Sequence, residues 1–144
     1  MPGPLALGLA GLLTAIAALH LAWAFGLRWP APKDGSLAAY VSGSRRDPGR
    51  GVTITVASAI LSGAAVIVAF SSPLAPRAMA PWGWLLALPY AGLTAVFLLR
   101  GAAGYVPAVW RYAERTPFQR LNRLYYSPLC LLIGGGLVLN ATLR

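Results

Sequence analysis

The chain has 144 residues, 58% of them hydrophobic and only 10% charged, with a mean hydropathy of +0.65 and a net charge of +9 at pH 7. Soluble domains are about half apolar and about a quarter charged, so this composition excludes an ordinary soluble domain and points to an integral membrane protein. The basic residues punctuate apolar runs instead of covering one polar face, which makes anionic lipid headgroups, and not nucleic acid, the expected anionic partner.

A membrane-crossing helix needs about 20 largely apolar residues to span roughly 30 Å of hydrocarbon. Four segments qualify: about 4–27, 51–71, 82–103 and 126–143. The first contains an apolar stretch over 5–19 followed by Ala22-Trp23-Ala24, the small-x-small pattern of a signal-peptide cleavage site. No Lys or Arg precedes Arg28, so the basic flank of a signal peptide is missing and the segment reads as a retained helix with its N-terminus outside. His20 falls near its inner end and shares a face with Ala17 and Trp23. Gly8 and Gly11 read as a packing surface.

The connection 28–50 carries Pro30, Pro32 and Pro48 and reads as mostly irregular, with a short turn at Ser36 to Val41. In the second segment Thr55, Ser58 and Ser62 fall within about 60° of one another at 100° per residue, a small polar stripe suited to close helix approach. The third segment carries Pro89, expected to kink it, and a face made of Tyr90, Thr94, Phe97, Gly101 and Gly104, with Arg100 on its flank near the inner boundary. Thr116-Pro117 then offers an N-cap followed by Pro at the first helical position, opening a helix through Phe118, Leu121 and Tyr125. Such a helix would lie in the headgroup plane with Arg111, Arg115, Arg120 and Arg123 as candidate lipid-headgroup contacts; the plain alternative is a solvated basic loop. The fourth segment takes its first turn from Leu124-Tyr125-Tyr126 and tolerates Pro128 early.

Ten of the twelve Lys and Arg residues lie in the two long connections and their flanks, leaving Arg77 and Arg144 for the other side. The positive-inside rule places both connections in the cytoplasm and both termini outside. Trp82 and Trp84 form one expected aromatic belt, and Trp23, Trp29, Trp110, Tyr125 and Tyr126 the other. The predominance of Arg over Lys, eleven to one, is associated with GC-rich bacterial genomes, and the expected location is a bacterial inner membrane. The fold expected is all-α: a single domain, a four-transmembrane-helix bundle with a short cytoplasmic interfacial helix before the fourth span.

The helix directions bring His20, Thr55, Ser58, Arg100, Tyr126 and Cys130 to one level. Each has a plain role as well as a chemical one. Ser and Thr serve packing, Arg100 can snorkel to headgroups, Cys130 is a small core residue, and a neutral His20 is a tolerable core group once its N–H finds an acceptor. No Asp or Glu lies within any span, which leaves carboxylate-coupled proton transport, paired-carboxylate hydrolysis and carboxylate metal sites unsupported. One His excludes bis-histidine haem ligation within a protomer, and no CxxC, G-x-S-x-G or P-loop occurs. The residues point away from an enzyme and a metal. They point toward a non-enzymatic membrane component without a cofactor, either a self-associating homo-oligomer or an accessory subunit of a larger membrane complex. The alternative is a binding or redox protein holding a quinone or haem near His20 and Arg100, with Trp23 and Tyr126 as further contacts.

Three stretches carry a family resemblance: His20-Leu21-Ala22-Trp23-Ala24, Phe97-Leu98-Leu99-Arg100-Gly101, and the long run from Thr116-Pro117-Phe118-Gln119-Arg120 through Tyr125-Tyr126-Ser127-Pro128 to Leu131. With them the chain resembles, over nearly its whole length, the DUF3995 family of small bacterial four-helix membrane proteins of uncharacterised function. That resemblance implies membrane residence and a bundle, and no activity.

Overall fold

The computed structural model of the protein describes residues 1–72 and 83–143, and every regular element among them is helical. Expectations on Arg77, Trp82 and Arg144 fall outside the described residues. Among the described residues four helical segments are long and apolar enough to cross a membrane: α1 (Pro4–Ala24), α3 (Arg50–Ser71), α4 (Trp84–Ala103) and the continuous run Pro117–Thr142. That run comprises α5 (Pro117–Leu121), a π-turn (Asn122–Tyr126) and α6 (Ser127–Thr142). A short α2 (Leu37–Val41) lies in the first basic connection, and a 3₁₀ segment (Pro107–Ala113) in the second.

α1 ends three residues before the expected boundary, because Gly26 takes φ +103 and closes the helix end. Its N–H donates to the Trp23 carbonyl at 3.1 Å and that of Leu27 to the Ala22 carbonyl at 2.9 Å, the double closure of a Schellman motif. Pro89 lies inside α4, which continues past it to Ala103.

α1 packs chiefly on α3 and α4 chiefly on α6, while smaller α3–α4 and α1–α6 contacts join the pairs. Leu9, Leu13, Ile67, Tyr90, Ile133 and Leu137 form the centre of the core. The α4–α6 contact depends on glycine. A Cβ at Gly101 would sit 3.0 Å from the Leu131 backbone nitrogen, and one at Gly134 would sit 3.1 Å from that of Leu98, so the two helix backbones nearly touch. Away from the basic connections, Tyr90 donates its hydroxyl to the Leu137 carbonyl at 2.8 Å. Asn140 donates to the Tyr90 and Ser71 hydroxyl oxygens at 2.9 and 3.0 Å, tying α3, α4 and α6 together.

The Thr55, Ser58 and Ser62 stripe of α3 faces outward, as do Gly8 and Gly11 of α1. Nothing lies within 4 Å of where a Cβ at Gly8 or Gly11 would stand.

Candidate functional site

The two basic connections meet at one end of the bundle, as the alternating helix directions require. Tyr112 donates to the Ser42 carbonyl at 3.1 Å and Tyr126 to the Tyr40 carbonyl at 3.1 Å, so the second connection grips the first. Gly43, at φ +72, abuts Ala113 and Phe118; a Cβ there would collide with the Ala113 methyl. Phe118 is 1% exposed and lies 5.1 Å from the Trp110 ring. The short helix before the fourth span is continuous with that span. It runs through the π-turn into α6, with Phe118 turned into the protein.

Asn122 is the hub of this end. Its amide oxygen accepts from Arg100 Nη2 at 2.8 Å and from the Ser127 hydroxyl at 3.3 Å, while its amide nitrogen donates to the Gly104 carbonyl at 3.2 Å. The π-turn makes this geometry available. Its extra residue lets Asn122 and Ser127, five apart, share a face on which both are at most 1% exposed. Gly104 is where the connection passes Ser127, and a Cβ there would collide with the Ser127 side chain. Arg100 also lies over the Trp110 ring, 4.6 Å from its centroid, and its Nη1 is buried without a hydrogen-bond partner among the described residues. Among the described residues no carboxylate pairs with it, and the ion pair found there joins Arg28 to Asp47 at 3.6 Å.

The remaining candidates of the expected ligand cluster have other partners. His20 Nδ1 donates to the Ile16 carbonyl one turn earlier at 2.8 Å, so that in a neutral ring the lone pair lies on Nε2. Its ring lies 4.7 Å from that of Trp23, whose indole nitrogen donates to the Trp29 carbonyl at 2.7 Å. No hydrogen bond or ring contact among the described residues joins the His20–Trp23 pair to Arg100 or Tyr126. Cys130 is half-buried, and Thr55 and Ser58 lie on the outside of α3. No group of three His, Cys, Asp or Glu side chains able to hold a metal occurs among the described residues.

Three of the four candidate headgroup arginines converge. Arg115, Arg120 and Arg123 line one cleft of about 500 Å³ with Thr116 and Gln119, and Arg111 does not line it. Sequence reasoning passed over Asn122 and Asn140. The available signal was an amide inside or beside an apolar run, which a buried partner must satisfy.

The family model described as a protein of unknown function, DUF3995, matches residues 13–137. The chain belongs to the DUF3995 family. No curated protein and no solved structure matches it. The part matched as DUF3995 takes in His20, Arg100, Asn122, Tyr126 and the arginine cleft, whereas Gly8, Gly11 and Asn140 lie outside it.

Proposed function

We propose that the protein is a non-enzymatic component of a bacterial inner membrane that works by association, with both basic connections cytoplasmic and both termini outside. The observation that supports this is the outward placement of small and hydroxyl residues on two neighbouring helices: Gly8, Gly11 and Ala15 on α1, and Thr55, Ser58 and Ser62 on α3. A surface meant only for lipid has no use for glycine, whereas a partner helix gains close backbone approach and hydrogen-bonding hydroxyls from it. The partner is a second copy of the chain or a transmembrane helix of a larger complex.

The test substitutes Gly8→Leu with Gly11→Leu. Both sites open onto empty space, so the fold should keep its stability. Cross-linking through a cysteine at Ala15, in a Cys130→Ser background in native membranes, should give a dimer or a larger adduct that the double leucine variant loses. Equal adduct yield from both proteins, or none from either, would refute the reading.

The free Nε2 lone pair of His20 favours a second reading, in which the imidazole ligates or hydrogen-bonds a lipophilic group such as haem or a quinone. A pigment or quinone that co-purifies with the protein and is lost in His20→Ala would support it. Purified protein with neither a Soret band nor extractable quinone would remove it.

A further inference from the structure

The cleft of Arg115, Arg120 and Arg123 adjoins a second one, of about 400 Å³, lined by Tyr40, Pro117, Leu121 and Tyr125. The two share Arg120 and Leu124, so they form one depression with a basic part and an apolar part. No carboxylate lines either part; Glu114 lines a separate cleft of about 250 Å³ that meets the basic part at Gln119 and Arg123. The arginines are exposed, and the ion pair found among the described residues leaves all three of them out. Snorkelling arginines need not converge, since each reaches headgroups best from its own position around the helix. Here convergence is built into the backbone. Arg115 sits at φ +69, a conformation that costs a non-glycine residue energy, in the turn before the helix that carries Arg120, and it lines the same cleft as Arg120 and Arg123. Beside them Leu124 and Tyr125 are 55% and 63% exposed, at the start of an apolar run that reaches Thr142.

From this juxtaposition we propose that the depression holds one anionic phospholipid, its phosphate between the guanidinium groups of Arg115, Arg120 and Arg123 and its acyl chain along Leu121, Leu124 and Tyr125. Planar guanidinium forks suit bidentate phosphate contacts, and Gln119, whose Nε2 gives one N–H to the Trp110 carbonyl at 3.5 Å, keeps a second one as a neutral donor beside them. Arg111, of equal charge and four residues before Arg115, lies outside the depression and serves as the internal control.

The experiment is native mass spectrometry of the full-length protein released from micelles containing phosphatidylglycerol or phosphatidylcholine, with the binding constant measured by lipid titration. The anionic lipid should be retained in one-to-one stoichiometry and the zwitterionic lipid lost. Arg115→Gln, Arg120→Gln and Arg123→Gln should each weaken retention about fivefold, and Arg111→Gln should leave it unchanged. Leu124→Gln should weaken the lipid while leaving the arginines in place. A loss in Arg111→Gln as large as in the other three would show a diffuse surface effect and overturn the proposal. Displacement of the lipid by millimolar inorganic phosphate would also overturn it, by showing that the cleft takes free phosphate and that the apolar part contributes nothing.

Discussion

Replacing Asn122 with Ala should destabilise the protein, because three hydrogen bonds of the basic end meet on its side chain. The substitution removes the acceptor that Arg100 reaches at 2.8 Å and the donor that satisfies the Gly104 carbonyl at 3.2 Å, and it frees the Ser127 hydroxyl. A hydrogen bond to a charged group contributes about 1.5–3 kcal/mol and a neutral one about 1 kcal/mol. Interhelical hydrogen bonds in membranes average only about 0.6 kcal/mol, because the unfolded helix finds substitutes there. That discount applies poorly to Arg100, whose Nη1 is already buried and unpartnered; without Asn122 the guanidinium keeps only the face of Trp110. The expected loss is therefore about 2–4 kcal/mol. Arg100→Met removes the charge that needed the acceptor and forfeits the ring contact, which is worth about 0.5–2 kcal/mol. It should cost about 1 kcal/mol. The double variant should cost less than the sum of the singles by about 1.5–3 kcal/mol, since neither member then leaves a partner buried and unpaired. Reversible unfolding in mixed micelles, followed by tryptophan fluorescence, measures all four proteins of the cycle. Additivity within about 0.5 kcal/mol would refute the account of Arg100 and Asn122 as one unit.

Two further outcomes are expected. Asp47 accepts from the Ala38 amide at 2.7 Å and from the Ser36 hydroxyl at 2.8 Å, and these bonds, with Arg28 nearby, hold its carboxyl below the usual carboxylate value against the opposing effect of burial. Its folded pKa thus lies below the unfolded one, so its stabilisation of α2 is complete above the unfolded value and is lost as pH falls through the folded one. The protection factor of the Ala38 amide, taken against the intrinsic rate at each pH, should fall as pH drops through the folded pKa of Asp47 and should already be low at neutral pH in Asp47→Asn; equal protection in Asp47→Asn and the wild type at neutral pH would contradict this. The topology reading expects a cysteine at Ser44, in a Cys130→Ser background, to react with an impermeant maleimide only after the inner membrane is opened. Labelling from outside would reverse the orientation.

The spans were legible because the physics that sets them is one-dimensional: each of the four helices needs only enough consecutive apolar residues. Their ends were less so. Gly26 terminates α1 with a positive φ although Phe25 and Leu27 on either side are apolar, so hydropathy carries on past the point where hydrogen bonding stops. The two glycines of α1 show the same blindness in another direction. Gly8 and Gly11 look in sequence like Gly101 and Gly134, yet the first pair opens onto empty space and the second is pressed against a neighbouring backbone.

That difference has a physical origin. In a soluble bundle, water makes the outer face polar, and period alone reveals which side is buried. Here the outer face can be as apolar as the inner one, and the segments carry hardly any amphipathic signal, so orientation is left to polar groups that must find partners. Asn122 and Asn140 supply it. Asn140 binds Ser71 and Tyr90, and Asn122 binds Arg100 and Gly104, so both amides lock α6 or the turn that leads into it against α4, and Asn140 adds α3. The π-turn between Leu121 and Ser127 follows from the same demand. An unbroken α-helix would advance Ser127 by about 500° from Asn122 at 100° per residue, about 140° away around the axis, whereas the wider turn returns it to the same buried face. A residue choice that reads in sequence as one more polar interruption before an apolar run therefore sets the rotation of the whole fourth span, and with it the direction in which Arg120, Arg123 and Leu124 emerge into the basic cleft.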